Sequence, residues 1–135
     1  MTTVKKRRKK KRKSHYQRGE YTSSKTAQVC KYRSGWEEKM MQYLDSHPDV
    51  VTWTYEQTII EYTSNIRTKK IRKYYPDFCV NYSDGRVEII EVKPKRKLDQ
   101  ATVKKKMTAA LSWCAERGMT YRIVTEDVLK ELGLL

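Results

Sequence analysis

Asp77, Glu91 and Lys93 are the residues whose types and spacing could do chemistry. Asp77 follows Pro76 at the start of one apolar-alternating run, and Glu91 and Lys93 close a second, with Ser83-Asp84-Gly85 between them. Two such runs about a turn signal predict a β-hairpin. Side chains two apart in a strand share a face, so Ile89, Glu91 and Lys93 point one way and Ile90 and Val92 the other. Asp77 and Cys79 share a face on the partner strand. A hairpin returns the chain so that both carboxylates converge. Burying charges in such a strand is costly unless they gain partners or a metal. Two carboxylates with a backbone carbonyl form a hard oxygen site suited to Mg²⁺, with Mn²⁺ expected to substitute. A cation there would polarise a phosphoryl oxygen and activate water. Lys93 would hold or deprotonate that water, or offset charge on the phosphorane. An acid–lysine pair on a surface strand is the plainer reading, and the apolar neighbours on both runs argue against it.

The partner class follows from charge. The chain has 135 residues, 30 Lys and Arg against 16 Asp and Glu, and a formal net charge of +14. Lys5, Lys6, Arg7, Arg8, Lys9, Lys10, Lys11, Arg12 and Lys13 form one unbroken run. The rest of the chain is also basic, which points to a polyanion, most simply DNA. The run is expected to neutralise phosphates through counterion release; a solubility or targeting tail would look similar. Residues 1–27 read as a flexible basic tail and 28–135 as one domain. Lys95, Arg96 and Lys97 follow the second run and are placed to meet phosphates. There is no apolar run of membrane-spanning length and no apolar core of a secretory signal. Cys30, Cys79 and Cys114 lack a paired spacing and read as reduced thiols of a cytosolic protein.

The positioning elements can be read in outline. Ser34 followed by Glu37 fits a capping box opening a helix, with Trp36, Met40, Tyr43 and Leu44 as its apolar stripe. Glu37 has two readings, the cap acid and a carboxylate offered to a metal, and the cap is sufficient by itself. Val50 to Tyr55 is β-branched and aromatic, a strand. Extended chain resumes at Thr58 and is broken by a turn at Ser64 to Thr68. Glu56 and Gln57 interrupt the two runs as a bulge or solvated edge, and Gln57 is expected near the acids, orienting the site. Lys69 to Tyr75 interleaves cations with tyrosines, which suits a strand against a nucleic-acid backbone. Val103, Met107, Ala110, Leu111 and Cys114 predict a helix closed by Gly118. Lys104, Lys105 and Lys106 fall on its opposite face, where they would touch DNA or simply be solvated. A strand from Tyr121 to Val124 and a last helix from Thr125 complete an α/β sandwich around a mixed sheet.

Pro76-Asp77 and Glu91-Val92-Lys93 resemble the two elements of the PD-(D/E)xK nuclease superfamily. The longer pattern is more specific. Tyr32-Arg33-Ser34-Gly35-Trp36-Glu37, Tyr75-Pro76-Asp77-Phe78 and Ile90-Glu91-Val92-Lys93-Pro94 resemble the head-completion nucleases of tailed phages and the N-terminal endonuclease domain of the TnsA transposase subunit. The resemblance implies a restriction-endonuclease-like α/β core, a mixed central sheet flanked by helices. It implies a Mg²⁺-dependent DNA endonuclease with Asp77, Glu91 and Glu37 on the metal and Lys93 completing the catalytic set, to which Gln57 is added on its position between the two apolar runs. The basic run has no counterpart in these families; on charge, it would hold the DNA backbone together with Arg33 and Lys95 to Lys97. Phage head or portal proteins, or transposase subunits, are the implied partners. The implied setting is the bacterial host cytoplasm, with virion association. A junction resolvase shares these motifs, and a non-enzymatic capsid-associated DNA-binding protein would share the charge.

Overall fold

A computed structural model describes residues 18–135. The basic run therefore lies outside the described residues. Elements follow in the order β1 (Gly19–Tyr21), β2 (Cys30–Tyr32), α1 (Gly35–Ser46), β3 (Val50–Tyr55), β4 (Ile60–Asn65), β5 (Lys70–Tyr74), β6 (Phe78–Tyr82) and β7 (Val87–Val92). A 3-10 turn at Lys95–Lys97, α2 (Ala101–Glu116), β8 (Thr120–Val124) and α3 (Glu126–Glu131) complete the chain.

The central sheet has the order β3-β6-β7-β8. Its first two pairings are antiparallel, and β7–β8 is parallel because α2 crosses between them. The sheet is thus mixed, and helices cover it on both faces. On one side Met40, Met41 and Leu44 of α1 and Leu129 of α3 pack against Trp53, Phe78, Val80, Ile90 and Val124. On the other, Ala110 and Trp113 of α2 pack with Tyr121 and with Ile60, Tyr62 and Tyr74. Ile89 and Ile90 are both fully buried, so β7 is covered on either face. A charged side chain on such a strand is placed by the core rather than by solvent.

The expected hairpin is β6–β7, with Phe78 opposite Ile90 and Cys79 opposite Ile89. Gly85 closes it at φ 89°, a conformation open to glycine. β4 and β5 pair only with each other and form a separate two-stranded ribbon.

Three local expectations need correction. The segment 18–27, read as the end of a flexible tail, is integral to the fold. Its β1 pairs with β2, and Tyr21 and Ser23 donate their hydroxyls to the Asp45 carboxylate, which also accepts from the Trp53 indole at 2.9 Å. Lys25 donates its ammonium to the carbonyls of Leu44 and His47 and so satisfies the free C-terminal end of α1. Leu111 is exposed rather than part of the α2 stripe. The turn between β4 and β5 falls at 66–69, later than Ser64. Cys30, Cys79 and Cys114 are all free.

Candidate active site

Asp77 sits in the bend just before β6 and is buried at 8% exposure. Its carboxylate accepts the Val92 amide at 2.7 Å, which fixes it across the hairpin. Its own amide donates to Glu91 at 3.3 Å. Glu91 also accepts from the Tyr74 hydroxyl at 2.7 Å, and its other oxygen lies 3.8 Å from the Lys93 ammonium. Strand period and hairpin register therefore bring Asp77, Glu91 and Lys93 together, as their spacing predicts.

α1 supplies Glu37 from its first turn. Ser34 caps the helix by accepting the Glu37 amide at 3.1 Å. The Glu37 carboxylate accepts the Arg33 amide at 3.3 Å, one residue before the cap position of a standard capping box. It also accepts the Tyr55 hydroxyl at 3.0 Å. Glu37 thus holds the helix start, and its carboxylate lies among the other acids.

A fourth carboxylate comes from Glu56, directly after β3. Its backbone lies at φ 53°, which a residue with a Cβ seldom adopts. The Glu56 amide donates to the Asp77 carbonyl at 2.9 Å, and Arg33 pairs with its carboxylate at 3.1 Å. Glu37, Glu56 and Asp77 each offer an oxygen within 4.8 Å of the others. That all-oxygen set fits a hard divalent cation. Glu91 borders the trio through the Asp77 amide and Tyr74.

Crowding sets the electrostatics. Burial, and then the charges of Glu91 and Glu37, hold the Asp77 carboxyl well above its ordinary range. Burial raises Glu91, while Tyr74, Lys93 and the Asp77 amide work against the rise. Burial raises Glu37 too, with Glu56 adding to it and Arg33 and Tyr55 opposing. These acids cannot all ionise cheaply together without a cation, and a divalent ion among them would relieve the repulsion.

A cleft of about 400 Å³ opens over this cluster. Arg33, Lys73, Lys93, Lys97 and Lys106 line its walls with the four acids and Tyr74. Anionic floor and cationic rim suit a phosphodiester held over a metal.

Residues 47–126 match the family described as "TnsA-like endonuclease N terminal". The chain belongs to that family. The match spans β3 to β8 and includes Glu56, Asp77, Glu91 and Lys93. The chain is also 32% identical over 124 residues to the head completion nuclease of Enterobacteria phage T4, covering 76% of this chain and 82% of that protein. The mixed sheet flanked by helices is the restriction-endonuclease-like fold of this endonuclease family.

In this endonuclease family member, Asp77, Glu91, Lys93, Glu37, Arg33 and Lys97 all line the cleft. Gln57 does not. It is exposed and borders a neighbouring hollow with Gln28 and Tyr32, while Glu56 stands where Gln57 was expected. Lys95 is turned away, paired with Asp127 at 3.3 Å, and Arg96 is exposed outside the cleft. Lys5 to Lys13 lie outside the described residues. Sequence reasoning missed Glu56, Lys73, Tyr74 and Lys106 as cleft residues. The Lys106 ammonium lies 5.5 Å from the Tyr74 ring centre and 6.0 Å from that of Tyr62, so it faces the cleft rather than the lysine face of α2. Among the described residues, no helix is long and apolar enough to cross a membrane.

Proposed function

We propose that this chain is a divalent-metal-dependent DNA endonuclease that hydrolyses phosphodiester bonds, of the head-completion type that processes DNA ends. The observation that carries the reading is the convergence of Glu37, Glu56 and Asp77 within 4.8 Å, next to the Glu91–Lys93 pair and under a cationic rim. The family match and the likeness to the phage T4 head completion nuclease support it.

Asp77, Glu37 and Glu56 would hold the cation, with Glu91 beside them. Mg²⁺ bound there supplies polarisation of a phosphoryl oxygen and a lowered pKa for bound water, and Mn²⁺ substitutes. The chain's own residues do the rest. The Val92 amide and the Tyr74 hydroxyl keep Asp77 and Glu91 in place before substrate arrives. Lys93, next to Glu91, orients the attacking water and offsets charge as the water oxygen bonds to phosphorus and the sugar oxygen departs. Arg33, Lys73, Lys97 and Lys106 hold the flanking backbone.

Incubation of the purified chain with supercoiled, linear and branched DNA, under Mg²⁺, Mn²⁺ or EDTA, tests this. Wild type is expected to cut only with metal, and Asp77→Ala to lose roughly a thousandfold or more, as follows from losing several kcal/mol of charge stabilisation. Binding without cutting under every metal would overturn the reading in favour of a DNA-binding structural protein. Preference for branched DNA would indicate junction resolution, and cutting only with added partner subunits a transposase-type nuclease.

A further inference from the structure

The β4–β5 ribbon carries a second concentration of charge whose chemistry is opposite to the cleft's. An isolated two-stranded ribbon is marginal in water. This one is held at its base, where Ile60, Tyr62 and Tyr74 pack on α2. Beyond Tyr62 it leaves the core. From Asn65 to Lys73 every residue is exposed, yet Thr63 still pairs with Ile71 and Asn65 with Lys70. Arg67, Lys69, Lys70, Arg72 and Lys73 fall on this stretch, with Glu61 the one acid of the two strands. None of the five enters an ion pair among the described residues. Other cations of the molecule, such as Arg86, Lys95 and Arg122, are paired with acids close by.

Alternation splits the ribbon's cations between two faces. Lys73 turns to the cleft. Lys70 and Arg72 turn the other way, into a groove of about 400 Å³ against the start of α2. Tyr62, Ser64, Asn65, Thr102 and Lys105 complete it, and it contains no acidic residue. Lys105 is fixed there by donating to the Ser64 carbonyl at 2.7 Å. The Ser64 hydroxyl already donates to the Lys70 carbonyl at 3.2 Å, which leaves three cations, the Tyr62 and Thr102 hydroxyls and the Asn65 amide group as the donor set that phosphate oxygens take.

We propose that the groove formed by Lys70, Arg72 and Lys105 binds a backbone phosphate of duplex DNA away from the scissile bond. The ribbon is then a second hold on the substrate, with Lys73 facing the cut and Lys70 and Arg72 gripping beyond it. This rests on the endonuclease reading for its substrate, but its test does not depend on cleavage.

Binding of a fluorescent duplex to the full chain would be measured in EDTA across a salt series. Lys70→Gln/Arg72→Gln is compared with Arg86→Gln/Lys130→Gln, which removes equal charge elsewhere. The groove variant is expected to bind more weakly on every sequence and to lower the slope of log affinity against log salt by about 1, for one lost phosphate contact. The control is expected to leave the slope unchanged. Equal slopes for groove variant and wild type, or an equal loss in the control, would overturn the proposal. A greater loss on single strands than on duplex would overturn the duplex assignment. Each single variant is measured as well, so that the test stands should a double fail to fold. If wild type never cuts but the groove variant still loses slope, the endonuclease reading fails and the groove stands. If wild type cuts and the slope is unchanged, the reverse holds.

Discussion

The cleft and the ribbon are built on opposite electrostatic plans. In the cleft, Glu37 and Asp77 are buried and Glu91 nearly so, and each is fixed by a hydrogen bond from a different element. On the ribbon the cations are solvated and unfixed, apart from the lysine that α2 leans against it. Burying like charges is costly, so only a strand covered on both faces and a helix docked on the core can hold them. Solvated cations cost the fold little and need no core. Reactivity is therefore drawn from the stable centre and grip from the periphery. The ribbon pairs outside the central sheet, and Tyr74 at its base ties it to the acids through its 2.7 Å bond to Glu91.

This division is broken most directly by exchanging the two kinds of lysine. Lys93 lies beside Glu91, whereas Lys73 sits on the ribbon at the cleft's edge. At saturating DNA, Lys93→Ala is expected to lower kcat about 10²- to 10⁴-fold, the usual span for a group that handles the reacting proton or charge, with little change in DNA affinity. Lys73→Ala is expected to raise KM and leave kcat within a few-fold. Similar kcat losses for both would show that the ribbon takes part in the chemistry.

A smaller effect separates Glu56 from Gln57. Glu56→Gln removes one carboxylate of the trio and the partner of Arg33. The Mg²⁺ concentration for half-maximal cutting is expected to rise about 10- to 100-fold, as for loss of a supporting group at a metal. Gln57→Ala, at an exposed position outside the cleft, is expected to change nothing. An unchanged Mg²⁺ requirement in Glu56→Gln would leave Glu91 as the third ligand beside Asp77 and Glu37.

The sequence made part of this legible, and the boundary has physical reasons. Asp77, Glu91 and Lys93 could be placed because strand period and a hairpin turn are local rules, and the observed register obeys them. The spacing of Glu37 from Ser34 marked only its role at the helix start, and the family resemblance alone pointed it at the other acids. Glu56 was not legible. It reaches the acids through a left-handed backbone at a residue with a Cβ and through the docking of α1, neither of which has a compositional sign. Lys106 was hidden among three consecutive lysines, and only the rotation of α2 on the ribbon selects it. β1 was hidden by its polarity, since of its three residues only Tyr21 packs on the core and the rest of the attachment runs through Asp45 and the pairing with β2. The ribbon's charge was plain, but its separation from the central sheet was not, because period says nothing of which strands pair.

The subtlest contrast is in pH dependence, and its sign follows from the raised carboxyls. Asp77, Glu91 and Glu37 hold protons in the folded state at pH values where the unfolded chain has released them. Folding therefore binds protons, and stability falls as pH rises from about 4, where free carboxylates ionise, through the raised folded values. The slope is about 1.4 kcal/mol per pH unit for each proton so held. Lys93, Lys106 and Arg33 face these acids and reduce the effect without reversing it. Urea unfolding of the metal-free chain in EDTA is expected to show the midpoint falling across that window, and saturating Mg²⁺ to flatten or invert the trend, because the cation binds the ionised acids. Asp77→Asn is expected to reduce the metal-free slope, because one of the three raised carboxyls is gone and its charge no longer faces Glu91 and Glu37. A flat metal-free profile would mean that the cleft acids are as solvated as the ribbon's lysines, and the contrast between the two regions would fail.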